Sequence, residues 1–233
     1  MACALVATWW AGPSQRRLFS SVSIQDDNLQ RWMDGVVTSG SKARLLEYVR
    51  SLWQRHKPQI GPKYRIRNLP QDSQQYYSAL RSIQTLTLVH TRVENIGEEG
   101  FRACFSAFRE TLTFLFLGFC DMSFSAFVAL VDYFPNITTL RMCLCELEPD
   151  EGPVPILSRP LRGKAYIQYG HFVTADCLAF FRRFAELDSE YEELVFDTFY
   201  HDPSEVALLL NNTLRISTTT VKFLRLFVEF ERE

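Results

Sequence analysis

Apolar residues recur along the chain in short clusters with the pattern apolar-x-x-Leu-x-apolar. Within a cluster the last two apolar residues, such as Leu86 and Leu88, are two positions apart, which predicts a strand with one buried face. The clusters centred on Leu86, Leu115 and Leu140 are separated by 29 and 25 residues, a nearly regular period. Clusters begin at Ile83, Leu112, Ile137, Tyr191 and Val221, and weaker copies lie at 49–52 and 165–167.

The segments between the clusters carry apolar residues three and four positions apart, which is the spacing of an amphipathic helix. Ser123 and Thr174 stand just before two of these stripes, where a helix N-cap is expected. The spacing alone accounts for the many phenylalanines, which we interpret as core residues. The stripes are Leu29, Trp32, Met33 and Val36; Phe101, Cys104, Phe105 and Phe108; Phe124, Phe127, Val128 and Val131; and Cys177, Phe180, Phe181 and Phe184.

Alternating strands and helices predict an α/β fold, either a doubly wound sheet or an open stack of strand–helix units. The strands alternate polar and apolar residues, and no glycine-rich phosphate loop follows any of them. The period of 25–30 residues is the leucine-rich repeat signature. We therefore expect a leucine-rich-repeat-like solenoid with parallel strands and helices on the convex side. Residues 146–155 predict an acidic, proline-rich surface loop.

The first eleven residues are apolar except Thr8, but the run ends at Gly12. It is shorter than the roughly 20 residues that a membrane-spanning helix needs. Arg16 and Arg17 follow the run, whereas a secretory signal carries its positive charge in front. We therefore expect a soluble protein of the cytoplasm or nucleus with no membrane partner.

The net charge of -2 hides a basic front and an acidic remainder. Residues 1–70 hold 11 Lys+Arg and 4 Asp+Glu, and residues 71–233 hold 14 and 23. No basic run is interleaved with aromatic residues, so we expect no nucleic-acid partner. The six cysteines form no C-x-x-C motif, and no histidine stands at ligand spacing to Cys143 and Cys145. This pattern predicts reduced thiols and no metal site.

Candidate catalytic residues are isolated in the sequence. The carboxylates of Glu190, Glu192, Glu193 and Asp197 cluster around one predicted strand, where a solvated edge explains them. No G-x-S-x-G motif occurs. We therefore predict a protein that is not an enzyme and that uses no cofactor. The four histidines are scattered, at His56, His90, His171 and His201.

The opening segment CALVATWWAGPSQRRLFSSVSI resembles the second half of an F-box. The segments IGEEGFRACFSAFRETLTFLFL, FSAFVALVDYFPNITTL and ELEPDEGPVPILSRPLRGK are similar to those of the F-box-like, leucine-rich-repeat-like proteins of mushroom-forming fungi. The resemblance implies a partial F-box-like cap over residues 1–24, which would be a short helical N-terminal remnant, and a leucine-rich-repeat-like region over 25–233. The residues that carry the F-box pattern are Cys3, Leu5, Val6, Trp9, Trp10, Leu18, Phe19, Val22 and Ile24.

Membership in this family would imply a substrate receptor of a cullin ubiquitin ligase, which docks on a Skp-type adaptor through its F-box. The remnant of the adaptor-binding side would comprise Leu5, Val6, Trp9, Trp10, Leu18 and Phe19. The family's F-box opens with a Leu-Pro-x-Glu-Ile-type segment and a first helix, and the given sequence contains neither. We therefore expect weak or absent adaptor binding. The alternative is a repeat protein without a ligase role.

The strand pattern also predicts a binding face. If Leu86 and Leu88 point into the core, their neighbours turn to the concave side, where a protein target would bind. The alternative is that a neighbouring loop covers the aromatic residues of this face, Phe114 and Phe116. An uncovered final strand would also favour self-association. The predicted contact residues are Phe114, Phe116, Arg141, Arg225 and Phe227.

Overall fold

The computed structural model describes most of the centre of the chain and parts of both ends. The helices whose full bounds lie within the described residues include α1 (Glu98–Phe105), followed by a 3₁₀ turn (Ser106–Phe108), and α2 (Phe124–Tyr133). The described residues are 13, 16–25, 46–55, 67–68, 77, 80–93, 98–148, 152–168, 179, 182–200, 211 and 223–230. The strands are β1 (Ser21–Gln25), β2 (Ser51–Arg55), β3 (Arg67–Asn68), β4 (Thr85–Val89), β5 (Thr91–Arg92), β6 (Phe114–Gly118), β7 (Asp121–Ser123), β8 (Thr139–Cys143), β9 (Glu146–Glu148), β10 (Leu161–Gln168), β11 (Ser189–Tyr200) and β12 (Phe223–Phe230).

Eight strands form one open main sheet in the order β1-β2-β4-β6-β8-β10-β11-β12, which is their order along the chain. Each pairing in it is parallel. The predicted α/β class with a parallel sheet is thus confirmed. β1 begins at Ser21, so the predicted boundary at residue 24 falls inside a strand that pairs with β2. Within the described residues β12 has a neighbour on one side only, and the predicted self-association stays a prediction.

The register of the main sheet aligns the central leucines of the repeats. Leu86 pairs with Leu115, and Leu115 pairs with Leu140. The same row continues through Ala165 to Leu194, so the degenerate repeat predicted near 165–167 is a strand in register. These five side chains are 3% exposed or less. Each fully buried leucine contributes about 1.5–3 kcal/mol to folding, which explains why the repeat pattern sets the register.

The helices cover the buried side of the main sheet. Ser123 caps α2, because its Oγ accepts a hydrogen bond of 3.2 Å from the backbone N–H of Ala126. Phe105, Phe108 and Phe134 contact one another with ring centroids 5.7–6.1 Å apart, and all three are fully buried. The two middle stripes therefore form the predicted helices. The stripe at 29–36, and most of the stripe at 177–184 with its proposed cap, lie outside the described residues.

A second, four-stranded parallel sheet has the order β3-β5-β7-β9. The apolar pattern did not predict it, because its strands are only two or three residues long. The prediction of a loop over residues 146–155 was wrong for its first three residues, because Glu146–Glu148 forms β9 and pairs with Asp121–Ser123. The exposed stretch lies further on, where Ile156 is 97% exposed. No helix in the described part of the chain has the length and apolar character needed to cross a bilayer.

Candidate protein-binding face

The main sheet has one face buried under the helices and one face turned away from the core. We call the second the open face; its residues alternate with the buried leucines, as the pleat of a strand requires. Across the strands from β2 to β12, the open face consists of three rows. They are Ser51, Thr85, Phe114, Thr139, Lys164, Glu193 and Phe223; Trp53, Thr87, Phe116, Arg141, Tyr166, Val195 and Arg225; and Arg55, Val89, Gly118, Cys143, Gln168, Asp197 and Phe227.

The Phe116 ring lies over Gly118 on the same strand. A Cβ at Gly118 would stand 2.8 Å from Cε1 of Phe116, so only glycine leaves room for the ring in this position. The guanidinium carbon of Arg141, on the neighbouring strand, is 5.6 Å from the centre of the same ring. This is cation–π geometry, worth about 0.5–1 kcal/mol at an exposed site. Phe116 is half-buried and Arg141 is exposed, so both side chains reach the surface.

Trp53 extends the aromatic part of the open face toward β2. Its side chain is 51% exposed, an unusual state for tryptophan. Thr87 lies between Trp53 and Phe116 in the same row and is only 2% exposed. Trp53, Phe116 and Arg141 thus lie in one row of the open face, and we call these three residues the aromatic patch.

The open face changes character from β10 onward, where polar groups pair with one another. Lys164 Nζ is 2.8 Å from Glu193 Oε2. The hydrogen bond between them, together with their opposite charges, raises the pKa of Lys164 and lowers the pKa of Glu193. In the next row, Cys143 Sγ donates to Gln168 Oε1 at 3.3 Å, and Gln168 Nε2 donates to Asp197 Oδ2 at 3.1 Å.

The residue after each of three main-sheet strands adopts a left-handed backbone conformation without being glycine. His90, Phe119 and Leu144 have φ angles of 56°, 51° and 52°. Their backbone N–H groups donate to the carbonyls of Gly118, Cys143 and Gln168 at 2.8–2.9 Å, and this pairing holds them in place. His90 stacks on Phe119 with ring centroids 4.9 Å apart, and Phe119 is 43% exposed. The sequence signal was their shared position, four residues after each central leucine.

Two cysteines support the bends between the two sheets. Cys120 Sγ donates to the carbonyl of Leu88, and Cys145 Sγ donates to that of Leu117, each at 3.4 Å. Both are buried, and burial raises the pKa of the Cys120 thiol. Their position, five residues after a central leucine, is the signal that an analysis of cysteine spacing alone misses. We therefore interpret these thiols as donors that hold the bends in place.

The structure brings some of the predicted contact residues together and separates others. Phe116 and Arg141 are in contact, and Phe114 is a half-buried neighbour on β6. Arg225 is exposed but lies three strands away from Arg141, and the Phe227 side chain is outside the described part. On the adaptor side, Leu18 is 54% exposed and Phe19 is half-buried. Leu5, Val6, Trp9 and Trp10 lie outside the described residues.

Candidate catalytic and metal-binding groups remain scattered in the described part of the chain. No three of its His, Cys, Asp and Glu side chains are placed to hold a metal ion. His90 stacks on a phenyl ring, and His56, His171 and His201 lie outside the described residues. No protein-family model matches this chain, and no curated protein matches it. The resemblance to F-box-like proteins, and the expectation of no catalysis, therefore stay predictions.

Proposed function

We propose that this protein is an interaction scaffold that binds a protein target on the open face of its main sheet. The proposal includes a leucine-rich-repeat-like solenoid, supported by strands that follow one another in chain order. Equivalent bends after β4, β6 and β8 also support it. Such repeats stack on their nearest neighbours and leave one long face for binding.

The aromatic patch is the observation that carries the proposal. Trp53 and Phe116 present apolar surface beside the guanidinium of Arg141, and the sheet holds all three on rigid backbone. Tryptophan, aromatic and arginine side chains are the residues enriched in protein-binding hot spots. A soluble protein has no folding reason to leave this tryptophan half exposed, because its burial would be favourable.

Affinity capture with the unaltered chain and two alanine variants tests the proposal. Phe116→Ala should weaken capture of the true partner by on the order of 1–3 kcal/mol. Ile156→Ala is the matched control, because Ile156 is 97% exposed and lies outside the open face. Proteins lost with Phe116→Ala and retained with Ile156→Ala support the proposal. Equal capture by all three forms would refute it.

We further propose that the scaffold serves as a substrate receptor of a cullin ubiquitin ligase, or is a remnant of one. The support is the F-box-like pattern of the opening segment. Leu18 is more than half exposed, as an adaptor contact must be. Size-exclusion co-elution with a purified Skp-type adaptor tests the role. We expect no stable complex with the given sequence, and a one-to-one complex once an F-box first helix is restored.

A repeat protein without adaptor binding is the second candidate function. The strand β1 favours it, because the end of the F-box-like segment is already part of the main sheet. Failure of the restored chain to bind the adaptor would favour this second candidate. Binding of the adaptor by the given sequence would show that the missing helix is dispensable.

A further inference from the structure

Arg141 differs from two basic residues on the neighbouring strand β10. Lys164 pairs with Glu193, and Arg162 pairs with Glu190, both at 2.8 Å. Arg141 is exposed, and within the described residues its side chain contacts the Phe116 ring and forms no ion pair. The structure thus neutralises two neighbouring cations internally and leaves the third without an acidic partner.

The neighbours of Arg141 make it a prepared anion site of limited size. The Phe116 ring supports the guanidinium, so less side-chain freedom is lost when the N–H groups bind an acceptor. Further along the open face, Lys164 is paired with Glu193, and Asp197 accepts a hydrogen bond from Gln168. The basic groups of the described part of this face therefore do not form the continuous strip that a nucleic acid needs, whereas a single carboxylate needs only Arg141.

The spacing along the middle row sets the length of the matching segment. Trp53 on β2 and Arg141 on β8 are separated by three strand steps. At about 4.8 Å per step this is about 14 Å, which an extended chain covers with about four residues. A peptide that crosses the strands could therefore place an apolar side chain on Trp53 and a carboxylate on Arg141.

We propose that the target, bound as in the proposed function on which this inference rests, presents an extended acidic segment to the open face. In that segment an Asp or Glu pairs with Arg141, and an apolar residue about four positions away packs on Trp53. The carboxylate accepts hydrogen bonds from the guanidinium, and the Phe116 ring closes the back of the site.

Display selection on the purified full-length chain tests the proposal, with random 12-residue peptides as the probe. The selected sequences should combine an acidic and an apolar residue at a constant separation of about four positions. The best peptide and its Glu→Gln or Asp→Asn form are then titrated by fluorescence anisotropy. Loss of the carboxylate should weaken binding roughly two- to fivefold, the range expected for an exposed charge pair.

Variants of the protein assign the carboxylate to its partner. Arg141→Gln should weaken the acidic peptide as much as removal of the carboxylate does, and the two changes together should cost no more than either alone. Arg81→Gln is the charge-matched control, because Arg81 is exposed in a turn away from the open face. Circular dichroism should show that both variants are folded, with Arg141→Gln melting about 1–4 °C lower because it loses its contact with the Phe116 ring.

The outcomes separate this inference from the proposed function. Peptides that bind equally to the unaltered chain and Phe116→Ala, or no selected peptides at all, would overturn both. Peptides that need Phe116 but are indifferent to Arg141→Gln or to the carboxylate would overturn only the acidic segment. A single-stranded 12-nucleotide DNA that binds through Arg141 more tightly than the acidic peptide would also overturn it.

Discussion

Leu117 and Phe116 are adjacent residues on opposite faces of β6, and truncating each to alanine tests how the sheet is oriented. Leu117 is fully buried in the core, so Leu117→Ala should cost about 2–5 kcal/mol of unfolding free energy. Phe116 is half-buried and contacts Arg141 by a cation–π interaction. Phe116→Ala should therefore cost only about 1 kcal/mol, most of it from that contact and partial burial.

Urea unfolding followed by circular dichroism measures the difference between the two variants. For a protein of this size, 1 kcal/mol corresponds to about 2–4 °C, so Leu117→Ala should lower the melting temperature by about 4–20 °C. The double variant Phe116→Ala/Arg141→Ala should lose less free energy of unfolding than the two single variants lose together. Each single variant already loses the contact between the two side chains. A loss with Phe116→Ala as large as that with Leu117→Ala would show that Phe116 is core, and the open face would be lost.

Three further predictions concern the backbone and the charges. Phe119→Gly should be more stable than Phe119→Ala by about 1 kcal/mol, because glycine relieves the left-handed conformation at φ 51°; urea midpoints in the opposite order would contradict this. Gly163→Ala should cost at least about 2 kcal/mol in thermal unfolding, since φ is 85° and a Cβ would lie 2.1 Å from the Thr138 carbonyl oxygen; unchanged stability would refute the bulge geometry. The Lys164–Glu193 pair lowers the pKa of Glu193 and raises that of Lys164, so it should stabilise the fold between about pH 5 and pH 10. The contribution of the pair should be lost as pH falls through the lowered pKa of Glu193 or rises through the raised pKa of Lys164. It is measured as the difference in unfolding free energy between the unaltered chain and Lys164→Met/Glu193→Gln. A difference that persists at pH 2 would contradict the prediction.

The sequence by itself determined the strands and helices of the buried side. Burial requires apolar residues at period two on each strand and at three and four on each helix, so Leu86, Leu115 and Leu140 mark their strands without a structure. The sequence also predicts the N-cap at Ser123, because a short polar side chain in front of an apolar stripe can accept a hydrogen bond from a free backbone N–H. The same alternation assigned Phe114, Phe116 and Arg141 to one face.

Only the tertiary structure decided what those residues do on that face. The Phe116 ring lies over Gly118 under Arg141 because strands 25 residues apart in the chain are neighbours in space. Side chains on the open face do not have to be apolar, because they are not part of the core. The apolar pattern therefore does not predict which side chains contact one another there. The same holds for the bends. Cys120 and Cys145 share a position in the repeat, but only the structure shows that each donates to a carbonyl of the preceding repeat. The spacing along the chain determines which residues are buried, and the contacts between neighbouring repeats determine which exposed side chains and bends meet.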